Sequence, residues 1–164
     1  MAVDMFIKIS SPDIKGESAD HSHKEEIDVL SWSWGASNTG SMHQPGAGGG
    51  TGKANFNDLS FTKYVDVSSP MLLKACSTGE HIKKAVLIVR KAGGKDPLEY
   101  IKVTLEDCLI SSVSTGGSGG EERLTENVTI NFGKFKLEYN PQTATGTGKG
   151  WMPFAYNIQA NKIA

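Results

Sequence analysis

Residues 111–132 read SSVSTGGSGGEERLTENVTINF. Val113 closes one run of alternating polar and apolar residues. Leu124, then Val128, Ile130 and Phe132, restart that period-2 pattern. Between them stand Gly116, Gly117, Gly119 and Gly120, which tolerate backbone angles that other residues avoid. The stretch is therefore a strand end, a tight glycine-rich loop and a long returning strand. From the residues alone, such a loop could cradle a phosphate, flank a catalytic centre or let two chains approach closely.

Working outward, the same alternation recurs on both sides. Ile101, Val103 and Leu105 share one face of a preceding strand, with Tyr100, Lys102, Thr104 and Glu106 on the other. Residues 82–91 carry AVLIV at their centre, a strand covered on both faces. GGKDP at 93–97 is a hairpin connection. Val3, Met5, Ile7 and Ile9 give an N-terminal strand. Residues 26–35 form another, in which Leu30, Trp32 and Trp34 share a face and Ile27, Val29, Ser31 and Ser33 share the opposite one. The apolar side changes phase near Val29 and Leu30, and again near Asp58 in a weaker strand over 54–61. Beyond residue 132 the phase changes at Gly133, where a bulge is expected. Met152, Phe154, Tyr156 and Ile158 form the last strand, with Pro153 marking an edge or bulge. One helix is expected: Ser69 as N-cap, Pro70 as first helical residue, Met71, Leu72, Ala75 and Cys76 as apolar face, and Gly79 as terminator. About eight strands and one short helix make a mainly β chain, an antiparallel β-barrel or two-sheet sandwich. Its 164 residues favour a single domain.

Composition narrows the function. The chain has 17 Lys+Arg against 18 Asp+Glu, a formal net charge of −1. Two of the basic residues are Arg, so there is no basic field for nucleic acid and no Arg cluster for phosphates. No apolar run approaches the ~20 residues of a membrane-spanning helix. The N-terminal MAVDMFIKIS lacks the apolar core of a standard signal peptide. Cys76 and Cys108 are read as reduced and buried, not as a disulfide scaffold.

Catalytic motifs fail one by one. The glycine-rich residues 38–53 are not a P-loop, because Ala47 and Ala54 stand where the pattern needs Gly and Ser or Thr. They are read as a flexible loop, or an arm that orders against a neighbour. Ser60 and Lys63 match S-x-x-K without its partner motifs and in a strand context. His21 and His23 lack convincing third and fourth metal ligands, and their segment is read as a solvated loop. Glu121 and Glu122 are adjacent and point to opposite faces of an extended chain. Trp32 and Trp34 could stack a sugar, but large aromatics are more often core. If they are core, Ser31 and Ser33 point to solvent, a partner or a channel. No catalytic residue, metal or cofactor is assigned.

The chain resembles the haemolysin co-regulated protein (Hcp) family of the bacterial type VI secretion system. The matching segments are MAVDMFIKI, EEIDVLSWSWG, GSMH, DLSFTKY, the ACSTG helix end, RKAGG and, most specifically, residues 111–132. The resemblance covers nearly the whole chain and is weakest at 44–55 and after Tyr139. It implies a small β-barrel with one lateral helix. It also implies a homohexameric ring that stacks on itself into a tube inside a sheath, tipped by a spike protein. Small effector proteins would ride in the lumen. Nucleic acid and membrane insertion play no part in this picture. The tube subunit would assemble in the bacterial cytoplasm and be secreted without a signal peptide. On it, Ser31 and Ser33 are expected on the lumen wall, with Ser118 a second candidate. Gly46, Gly49 and Gly52 are expected at ring-stacking contacts. Gly116, Gly120, Glu121, Glu122 and Arg123 are expected to form an assembly element. With Ala164 shortly after the final strand, a fused C-terminal toxin domain is not expected. The alternative is a monomeric, lectin-like ligand-binding β-barrel module using Trp32 and Trp34.

Overall fold

The structure is a computed structural model and describes residues 3–40, 42, 52–91 and 97–164. In chain order the elements are β1 (Val3–Ser10), β2 (Ile27–Asp28), β3 (Ser31–Ser33), β4 (Ala36–Asn38), β5 (Ala54–Phe56), β6 (Leu59–Tyr64), α1 (Ser68–Thr78), β7 (Ile82–Lys91), β8 (Glu99–Thr115), β9 (Thr125–Tyr139), β10 (Met152–Asn157) and β11 (Lys162–Ile163).

The hairpin built on the glycine loop is the spine. β8 and β9 pair from Ile101–Tyr139 at one end to Thr115–Glu126 at the other. β9 is long enough to hold two neighbours on its second edge. Its first half pairs with β6 and its second half with β10. The antiparallel order is β11-β10-β9-β8-β7-β1-β2, with β6 and then β3 branching from β9. This hydrogen-bonded order is open, so the expected mainly β, antiparallel architecture holds as a two-leaved sheet and not as a closed barrel. The segment between β2 and β3 bridges the leaves. Val29 N–H donates to Met5 O at 2.9 Å and Leu30 N–H to Thr62 O at 2.8 Å.

The phase change at Gly133 has a different origin from the expected bulge. Glu106–Lys134 and Cys108–Phe132 keep one register, so no residue is inserted between them. Both strands change phase together. On β8 the buried set passes from Val103 and Leu105 to Cys108 and Ile110. On β9 it passes from Val128, Ile130 and Phe132 to Phe135. Asp107, opposite Gly133, has φ 55°, in the left-handed region. A Cβ on Gly133 would lie 3.0 Å from the Gln159 amide. The bend lets one hairpin present an apolar face to the same core from both leaves. The register shift on β8 falls at Ser111, between Ile110 and Ser112.

The helix also starts differently. It begins at Ser68, and its first turn is held by Asp66, whose Oδ1 accepts from Ser68 N–H at 2.9 Å. Ser69 is not the N-cap. Its hydroxyl accepts from Asp66 N–H at 3.0 Å and donates to Glu126. Leu72 and Ala75 are buried, but Met71 is 45 % exposed. Gly79 ends the helix with φ 65°, as expected.

Among the described residues, Lys63 and Arg90 are buried cations, each at the centre of a charged cluster. Lys63 has no exposed surface and pairs with Glu126, directly opposite it across β6 and β9. Its ammonium also reaches Asp66 at 3.0 Å and Ser69 at 3.1 Å. In the second cluster Arg90 grips Asp20 through two bonds, at 3.1 and 2.5 Å, and reaches Asp4 at 3.1 Å. Its guanidinium lies over the Phe6 ring. His23 stacks on the same ring and contacts Glu26 and, at 2.7 Å, Glu99. This corrects the solvated-loop reading of His23, which is buried; His21 is exposed.

Each cluster gives a prediction. Lys63→Met leaves Glu126 buried without its cation and lowers stability by about 3–5 kcal/mol in urea melts. The double variant Lys63→Met/Glu126→Leu recovers most of that loss. The hydrogen bond from Arg90 holds the Asp20 carboxyl at about 2, below the usual 3.8. The stability it adds is complete above pH 3.8 and is lost as pH falls through about 2. Asp20→Asn flattens the acid-side decline in that window, measured by denaturation at a series of pH values.

Candidate functional site

Where β3, β6, β9 and β8 lie side by side, the register lines up two rows of side chains away from the core. The first row is Ser31, Thr62, Asn127 and Ser114; the second is Ser33, Ser60, Thr129 and Ser112. All eight are exposed or half-buried, and every one is Ser, Thr or Asn. The alternation of the strands dictates this. Leu59, Phe61 and Lys63 on β6, and Glu126, Val128 and Ile130 on β9, take the buried side.

The rows are knitted by side-chain hydrogen bonds. Thr62 donates to Asn127 Oδ1 at 2.7 Å. The Thr129 hydroxyl lies 2.6 Å from Ser111 Oγ and 2.7 Å from Ser112 Oγ. At the margin Asp58 accepts from Ser111 Oγ at 2.7 Å and from Asn131 Nδ2 at 2.8 Å, one bond to each carboxylate oxygen. Ser31 and Ser33 make no side-chain hydrogen bond among the described residues. The Ser111 register shift is what places Ser111 and Ser112 together beside Thr129.

The opposite leaf presents a different surface. Its rows carry Lys84, Glu106 and Lys134, then Lys102 and Glu138, in register across β7, β8 and β9. The two outward faces of the molecule are thus uncharged on one side and ionic on the other.

The sequence-predicted residues fall as follows. Ser31 and Ser33 are exposed on β3, opposite Trp32. Trp32 and Trp34 pack against the core, and Trp34 meets Phe132 and Phe135 edge-on, so neither offers a free stacking platform. Ser118 is exposed in the β8–β9 loop, its carbonyl accepting from Glu121 N–H at 3.3 Å. Glu121, Glu122 and Arg123 are exposed. Arg123 lies 3.8 Å over the Tyr64 ring and forms no ion pair with either glutamate. A Cβ at Gly116 would meet nothing within 4 Å, and one at Gly120 only Ser118 Oγ at 4.0 Å. Gly46 and Gly49 lie outside the described residues. Gly52 sits against Thr39, whose carbonyl a Cβ would meet at 2.1 Å. Here β4 and β5 pair, Asn38 opposite Ala54.

The sequence reading missed the larger part of the polar face. Thr62, Asn127, Thr129, Asn131, Ser112 and Ser114 carried a signal, the small polar residues alternating with core positions in three strands. Their meeting depends on register. A further exposed strip, Tyr139, Trp151, Met152, Phe154 and Ile163, follows the β10–β11 edge. Both cysteines are free. Burial pushes the Cys108 thiol up to about 12, which leaves it un-ionised and unreactive near neutral pH. Among the described residues no three His, Cys, Asp or Glu side chains gather as a metal site. None of their helices is long and apolar enough to cross a membrane.

Comparison with known proteins agrees over the full length. Residues 6–139 match the family described as "Type VI secretion system effector, Hcp". Protein hcp1 of Pseudomonas aeruginosa is 59% identical over 162 residues, covering 98% of each chain. The crystal structure of Hcp1 from Salmonella typhimurium superposes with a TM-score of 0.81 at 39% identity, covering 100% of each chain. A structure described as a type six secretion system protein superposes at 0.91 with 30% identity, covering 99% of this chain and 100% of that one.

The knitting of the face sets unequal costs. Thr129→Val keeps the shape but removes hydroxyl bonds to two serines, and lowers stability by about 1 kcal/mol. Ser31→Ala, which has no bond to lose, stays within about 0.5 kcal/mol. Paired urea melts check both.

Proposed function

The chain belongs to the Hcp family of the type VI secretion system, and on that premise we propose that it is the tube subunit of that system. In this reading one domain of 164 residues forms a homohexameric ring. Rings stack into a hollow tube inside a sheath, capped by a spike protein, and the lumen holds small effector proteins before export. The tube assembles in the bacterial cytoplasm and leaves the cell without a signal peptide. The observation that carries the reading is the contrast between the two outward faces. A tube wall presents different surfaces inward and outward: one that holds cargo through weak, releasable contacts, and one that meets its surroundings through charge. The hydroxyl and amide rows suit the first role and the lysine–glutamate rows the second. The apolar strip along the β10–β11 edge suits a neighbouring subunit, since an isolated chain leaves it in water.

Ser31 and Ser33, with Ser118 beyond them, are the lumen residues of this reading. Glu121, Glu122 and Arg123 form the charged rim of the β8–β9 loop. The arm containing Gly46, Gly49 and Gly52 makes the stacking contacts.

Native mass spectrometry of the purified protein is expected to give a six-fold species; a monomer at micromolar concentration overturns the proposal. Ser33→Gln leaves the ring intact and lowers effector retention, and unchanged retention removes Ser33 from that role. Deleting residues 40–52 leaves hexamers but reduces stacked tubes in negative-stain images. Gly116→Val and Gly120→Val test the loop. Neither added side chain starts from a clash within the chain, so stability stays within about 0.5 kcal/mol while ring or tube yield falls.

A further inference from the structure

We propose that the hydroxyl–amide face takes its cargo through uncharged hydrogen-bonding groups, and that Asp58 is the positioning residue that fixes this array. The inference rests on the tube reading for its setting and on the structure for its chemistry. Two rows of four residues across β3, β6, β9 and β8 contain no ionisable side chain. The carboxylate at their margin, Asp58, has one oxygen engaged by Ser111 and the other by Asn131. Ser111 then meets Thr129, which meets Ser112. A chain of hydroxyls is thereby anchored at one end to an acceptor that cannot donate. That sets the direction in which Ser111 points its proton and leaves Thr129 and Ser112 to order behind it. Ser31, Ser33 and Ser60, with no such ties among the described residues, remain free to donate or accept.

A charged partner gains nothing from such a wall. It would shed water without meeting a counter-charge, which costs free energy. An apolar partner would leave the hydroxyls unpaired. A polypeptide surface rich in Ser, Thr, Asn and Gln matches the array in both donor and acceptor capacity. The occupant is therefore an uncharged, polar protein segment.

The test uses purified full-length protein and three fluorescent 12-residue peptides, rich in Gln and Ser, in Glu, or in Lys. Anisotropy is read at about 0.05 and about 0.5 M salt, a range that screens surface charge. The Gln/Ser peptide is expected to bind several-fold better than either charged peptide, with affinity changing less than about two-fold across the salt range. Thr129→Lys should make the Glu peptide the better ligand at low salt only. Asp58→Asn can still accept one bond, and should weaken Gln/Ser binding by about three-fold. Asp58→Ala should weaken it further, at unchanged oligomeric state. Glu138→Gln, on the opposite leaf, should change nothing.

Salt-sensitive preference for a charged peptide, or no binding of the Gln/Ser peptide, overturns the proposal. So does displacement of that peptide by neutral dextran, which would make the face a carbohydrate site. Equal Gln/Ser binding by wild type, Asp58→Asn and Asp58→Ala removes the role of Asp58. Native mass spectra of the same samples separate the two claims. A monomer contradicts the tube reading, while the peptide ranking still decides this one.

Discussion

A lysine with no exposed surface holds β6, β9 and the start of the helix in one arrangement. Lys63 sits at an inward position of β6, opposite Glu126 at an inward position of β9, and both belong to an otherwise apolar alternation. Burying either charge alone costs several kcal/mol, so each requires the other. Asp66 and Ser69 complete the ammonium's bonds and open the helix at the same point. A one-residue slip of β6 against β9 would turn Lys63 outward, strand Glu126 in the core and move the Ser60 and Thr62 hydroxyls inward. The pair therefore specifies register more than it adds stability. Register is what assembles the two polar rows.

Seen this way, the β8–β9 hairpin divides its labour along its length. Near the glycine loop it joins β6 and shows Ser, Thr and Asn outward. Past the shared bend at Asp107 and Gly133 it joins β7 and β10 and shows Lys and Glu outward. One pair of strands therefore contributes to both surfaces, with the core between. The Arg90 cluster does for the charged leaf what Lys63 does for the other. It ties residues 4, 20 and 90 around Phe6, with His23 stacked on the same ring.

Much of this was legible in the sequence because strand periodicity is local. The hairpin, the Trp32 and Trp34 packing and the exposed Ser31 and Ser33 all follow from alternation within single strands, whereas the 82–91 strand, expected to be covered on both faces, buries one face and leaves Val86 and Ile88 half-buried beside the exposed Lys84. The Gly79 helix stop follows from one residue. What escaped depends on which strand lies next to which. Lys63 looked like half of a failed S-x-x-K motif, because nothing in the sequence pairs residue 63 with 126. His23 looked solvated, because Phe6 and Glu99 are distant in the chain. The Gly133 phase change looked like a bulge, because the matching change at Asp107 on the partner strand went unread. Ser69 was taken for the helix cap, when the helix starts one residue earlier, after Val67, and the Ser69 hydroxyl is committed to Glu126.

The central claim is that the hydroxyl–amide face lines a channel in an assembly of this chain. Cryo-electron microscopy of the purified protein tests it most directly, by locating Ser33, Ser60, Thr129 and Ser112 relative to the symmetry axis. The account predicts a six-fold ring with this row on the pore wall and the Lys84, Glu106 and Lys134 row on the outer surface. A ring with the two rows exchanged, or with the hydroxyl row buried between subunits, would contradict it.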